Sequence, residues 1–177
     1  MQVELKVNDK SVQAEISEEQ LKETVLFEQL KKLGLIEDKP RTGYERVEVE
    51  ETYYLVEVDD EIKNMKHNGQ LDRDCYDVGN YYSNKTIAEN NARADRLLRC
   101  LRQWQAQNDE VISKEDWEDH DLTKYFIIYD YDSNVISPGR TWWMRGTNNI
   151  YFKSREKAEE AIEAFKDELI WYFTEYI

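Results

Sequence analysis

A chain of 177 residues that is 40% hydrophobic, with 12 tyrosines, 5 tryptophans and 5 phenylalanines, can bury a real core, so disorder is excluded despite 35% charge. Its formal net charge of −14 repels nucleic acid phosphates and favours basic protein surfaces as partners. No apolar run reaches the ~18 residues of a membrane span and no basic-then-apolar leader is visible, which points to a cytoplasmic chain that needs no membrane.

The charge is uneven. Residues 1–60 and 108–177 are acidic, and residues 61–107 between them are mildly basic. Two cysteines, Cys75 and Cys100, lack metal-ligand spacing and read as free thiols in a reducing compartment.

In chain order, residues 2–16 alternate (Val3, Leu5, Val7, then Val12, Ala14, Ile16) around Asn8-Asp9, the pattern of a short hairpin. Ser17-Glu18-Glu19-Gln20 is a capping box that opens a helix through Leu26, Leu30 and Leu33, and Gly34 ends it. This leader unit is expected over residues 1–37, with a linker at 37–43.

Two copies of a β-β-α unit are expected next, over 45–107 and 123–177. At an offset of 70 residues Tyr81, Tyr82, Ala88 and Glu89 reappear as Tyr151, Phe152, Ala158 and Glu159. Val47 and Val49 alternate with glutamates ahead of a strand at 53–58, and Asn68-Gly69 signals a turn. Ser83 or Asn84 caps the first long helix, whose stripe is Ile87, Asn91, Ala94, Leu98, Leu101 and Gln105, with Leu97 and Trp104 beside it. An acidic loop around Trp117 follows, then a strand at 125–129. A turn is expected at Ser133-Asn134 or at Ser137-Pro138-Gly139, and a returning strand at 141–145. Ser154 caps the last helix, with a stripe of Ala158, Ala161, Ile162, Phe165, Leu169, Tyr172, Phe173 and Tyr176. The fold class is therefore α+β with antiparallel strands.

The order of tyrosine strand, Gly79-Asn80, aromatic pair, Ser/Thr-containing turn and Ala-Glu helix resembles small acidic accessory proteins of Gram-positive phages and prophages. That resemblance implies an inhibitor of host defence, of the anti-CRISPR-like class, acting in the host cytoplasm. It carries across no catalytic residue.

Motifs for chemistry are sparse. His67 and His120 have no second ligand at metal spacing. Asp130-Tyr131-Asp132-Ser133-Asn134 opens like a calcium loop, but Val135 stands where glycine is needed and Thr141 where a bidentate glutamate is needed. No nucleophile elbow and no glycine-rich phosphate loop is present. The expectation is a protein that is not an enzyme, with no cofactor, metal or small-molecule substrate.

Three surface sets remain as candidates. Carboxylates at Glu48, Glu50, Glu51, Asp59, Asp60, Glu115, Asp116, Glu118 and Asp119 would meet the basic nucleic-acid channel of a host nuclease in place of phosphates. Arg93, Arg96, Arg99 and Arg102, spaced by three, form an alternative basic patch for nucleic acid or a guide-RNA complex. Ile170 and Trp171 fall off the last helical stripe and are expected to be exposed, which suggests a structural or regulatory homodimer.

Overall fold

The computed structural model describes the backbone of residues 2–7 and 10–15 and the whole of residues 41–176. The chain divides into two compact units, 1–42 and 43–177. In the first, β1 (Gln2–Val7) and β2 (Lys10–Glu15) pair antiparallel, with Val3 opposite Ala14 and Leu5 opposite Val12. The helix expected from Ser17 to Gly34 lies outside the described residues.

The second unit is α+β. Its elements are β3 (Thr52–Val56), β4 (Ile62–Lys66), α1 (Gln70–Asp77), α2 (Lys85–Asn108), α3 (Lys114–Glu118), β5 (Lys124–Asp130), β6 (Val135–Thr141), α4 (Arg155–Ala164) and α5 (Lys166–Thr174). β3 pairs antiparallel with β4, and β5 with β6, in separate two-stranded sheets.

The repeat is visible in the backbone. Tyr54 and Tyr82 exchange two N–H···O bonds of 2.8 and 2.9 Å, and Tyr125 and Phe152 exchange two of 2.9 and 2.8 Å. So each aromatic pair adds a third, one-residue rung to its two-stranded sheet. Two residues later each copy caps its helix: Asn84 Oδ1 accepts from the amides of Thr86 and Ile87, and Ser154 Oγ from that of Lys157. The first-turn alanines, Ala88 and Ala158, are fully buried, because a bulkier side chain would hold the helix off the sheet.

α2 serves both copies. It packs on β3 and β4 of its own repeat and on α4 and α5 of the other. Ala88 and Ala92 are buried on one face, and Ala94, Leu97 and Leu101 on a face about half a turn round. Leu97 and Leu101 join Phe152, Ala158, Ala161 and Leu169 in one core. The expected stripe fell between these faces, and Leu98 is only half-buried.

Other departures have local causes. Residues 45–51 form no strand, since Glu50 turns the chain at φ 69°. Asn68-Gly69 does not close a hairpin but precedes α1, because Asp72 at its third position accepts the amides of Asn68 and Gly69. The second turn is at 131–134: Asp130 Oδ1 accepts from the amides of Asp132 and Ser133, and Asn134 takes φ 55°. Pro138 and Gly139 therefore lie inside β6, opposite Ile127 and Phe126, and the expected 141–145 strand ends at Thr141. The sheet tolerates Pro138 because β6 is an edge strand, paired with β5 alone.

Candidate partner-binding surface

Among the described residues the acidic candidates separate into two groups, held along the ~36 Å length of α2. The first belongs to the β3–β4 hairpin. Glu48, Glu50, Glu51 and Asp59 are exposed. Glu51 accepts the Glu48 amide at 3.1 Å and Asp59 accepts the Glu61 amide at 3.2 Å, so both carboxylates shape their turns. Asp60 differs. It turns the chain at φ 66°, and its carboxylate pairs with Arg99 of α2, which removes it from the outward-facing set.

The second group follows α2. Ser113 and Asp116 cap α3 reciprocally, the Ser113 hydroxyl accepting from the Asp116 amide and the Asp116 carboxylate from the Ser113 amide. That amide bond and the Lys153 ammonium at 3.3 Å outweigh partial burial and hold the Asp116 carboxyl below the usual range. Glu115 is lowered by its own amide and by Ser113. Glu118 pairs with Lys114 at 3.5 Å, and Asp119 accepts the Asp121 amide. Much of this group is thus engaged within the fold.

The basic candidates do not form one patch. Arg93 forks onto Glu168, with Nε 2.8 Å and Nη2 3.1 Å from its two oxygens, and Arg99 holds Asp60. Arg96 and Arg102 are exposed.

The expected exposure of both Ile170 and Trp171 is corrected. Ile170 is exposed, but Trp171 is buried beneath Arg93 and beside Tyr176. The helix is interrupted at Phe165 (φ −120°, ψ 21°), yet Phe165, Leu169, Tyr172 and Phe173 still pack on the core as one stripe. Trp171 lies off that stripe as expected, and Arg93 of α2, from the other repeat, covers it.

Two buried polar residues escaped the sequence reading. Asp72 accepts from Tyr53 Oη at 2.7 Å, from the Asn68 and Gly69 amides, and stands 3.9 Å from His67 Nδ1. Burial raises its pKa, but those hydrogen bonds outweigh it and keep the carboxyl below its ordinary value. Burial, followed by the Asp72 hydrogen bond, pushes the Tyr53 phenol well up. Lys124 is fully buried and donates to the carbonyls of Asp119 at 2.7 Å and Trp142 at 3.1 Å, over the Trp117 ring. The signal for Asp72 was an acid three residues after Gly69. Lys124 occupies the place in β5 that Tyr53 holds in β3, one residue before the bridging aromatic, which nothing in its own neighbourhood announces.

Every buried side-chain nitrogen and oxygen among the described residues has a hydrogen-bond partner within the fold. Among the described residues no group of three or more His, Cys, Asp or Glu could hold a metal ion, and no helix is long and apolar enough to cross a membrane. No family model, no curated protein and no solved structure matches the chain.

Proposed function

We propose that this chain is a non-enzymatic, phage-type protein that binds and inhibits a host defence nuclease, in the manner of an anti-CRISPR. Its hairpin carboxylates would take the place of phosphates on the nuclease's basic channel. The observation that supports this reading is the acidic set at the two ends of the β3–β4 hairpin. Glu48, Glu50, Glu51 and Asp59 face solvent and their carboxylates form no ion pair among the described residues, although the Glu50 carbonyl accepts from the Lys66 ammonium at 2.9 Å. Val49 (69% exposed) stands between Glu48 and Glu50, and Val58 (105% exposed) between Glu57 and Asp59. Carboxylates around a projecting valine combine steering with apolar area to bury, which a purely solvated charged face lacks.

Addition of the purified protein to an RNA-guided nuclease of a Gram-positive host tests this. Cleavage should be inhibited at low salt and recover steeply as salt rises, because the attraction is between exposed charges. The double variant Glu48→Lys, Glu50→Lys, which removes no side-chain hydrogen bond, should lose inhibition while its melting temperature is kept. The reading fails if the protein itself shifts DNA or RNA on a gel, or if charge reversal leaves inhibition intact.

A further inference from the structure

One pocket of about 300 Å³ joins the C-terminal half of α2 to the segment between β6 and α4, lined among others by Arg102, Gln105, Trp117, Arg145, Asn149 and Tyr151. Its volume is at the lower end for small-molecule sites (~300–1,000 Å³). Arg102 and Gln105 are one turn apart on α2, so a guanidinium and a carboxamide enter the pocket from the same helical face. Arg145 and Asn149 supply the same two groups from the opposite wall, and Arg145 lies 5.5 Å over the Trp117 ring. The pocket is therefore ringed by donors in a protein with 38 carboxylates against 24 lysines and arginines.

Arg102 and Arg145 are exposed and neither has an ion pair among the described residues, so both guanidinium groups keep their donors for a ligand. The nearby acids are committed elsewhere. Lys153 holds Glu110 at 3.2 Å and Asp116 at 3.3 Å, and its amide donates to Asp109 at 2.8 Å.

We propose that this pocket binds a small organic phosphate of mononucleotide size, its phosphate held by Arg102 and Arg145 and its planar body against the apolar wall of Val111, Ile112 and Ile150. Phosphate fits better than carboxylate because two guanidinium forks from two walls offer more donors than a carboxylate's two oxygens can share. This site is independent of the acidic hairpin and of the nuclease reading.

Isothermal titration of the full chain at low salt, with AMP as the probe, tests it. AMP should bind with sub-millimolar affinity, inorganic phosphate at least tenfold more weakly, and adenosine not detectably. Arg102→Gln and Arg145→Gln should each weaken AMP at least tenfold, while Arg73→Gln on the exposed face of α1 should change nothing. Arg102→Lys and Arg145→Lys, which keep the charge but lose the fork, should fall between. Circular dichroism melts confirm that each variant is folded. Absence of AMP binding, adenosine binding as tight as AMP, phosphate as tight as AMP, or affinity unchanged in both glutamine variants would each overturn the proposal.

Discussion

The Arg93 guanidinium carbon lies 3.9 Å from the centroid of the Trp171 ring while the same group forks onto Glu168. A single side chain of α2 thus covers the one indole that α5 turns inward.

This contact predicts stability effects where an exposed tryptophan would predict dissociation. Arg93→Ala should cost about 1–2 kcal/mol, with the exposed half of the ion pair contributing little of it. Trp171→Glu should cost about 3–5 kcal/mol by burying a carboxylate in a cavity. Urea unfolding and light scattering check this together. A folded Trp171→Glu with an unchanged midpoint would contradict it.

Asp72 predicts acid sensitivity. Its folded pKa is depressed, so its contribution is present above the unfolded value of about 4 and is lost as pH falls through the folded value. Asp72→Asn should therefore be less stable than wild type at pH 7 and show a flatter loss of stability below about pH 4. Asp72→Ala, which strands the Tyr53 hydroxyl and two amides, should cost about 3 kcal/mol at pH 7. Urea midpoints measured from pH 2.5 to 7 give the comparison.

Lys124 predicts a local effect. Its ammonium ties the Asp119 and Trp142 carbonyls to β5. Lys124→Ala should cost about 2–4 kcal/mol and raise amide exchange in residues 119–123 and 142–146 before other regions. Lys124→Met should recover part of the stability but none of the exchange protection. Uniform exchange in both variants would show that the lysine acts by volume alone.

The core prediction concerns neighbours on α2. Leu101→Ala should cost about 2–5 kcal/mol, since Leu101 is 3% exposed within the shared core. Leu98→Ala should cost roughly half as much, because Leu98 is only half-buried and borders a pocket of about 200 Å³ with Ile127, Leu169 and Tyr172. Equal costs would mean that the two leucines are equivalently packed.

Local chemistry was legible in the sequence wherever the partner lies within a few residues. Asn84 and Ser154 cap because a short acceptor faces open amides, and the paired aromatics recur because each copy needs the same rung beside its sheet. The turn at 131–134 follows from Asp130 and Asn134 by the same local rule. What the tertiary structure decided are contacts between distant parts of the chain. Periodicity reports that a helix has an apolar side, yet α2 has two, because its halves answer to different repeats, and an averaged stripe points between them. Trp171 lies off the apolar stripe of α5, and only the packing of α2 against α5 brings Arg93, 78 positions earlier, over its ring. Arg99 with Asp60, and Arg102 with Arg145 around one pocket, likewise depend on how the repeats pack. Spacing along a chain fixes which residues share a face, whereas only packing chooses what that face meets.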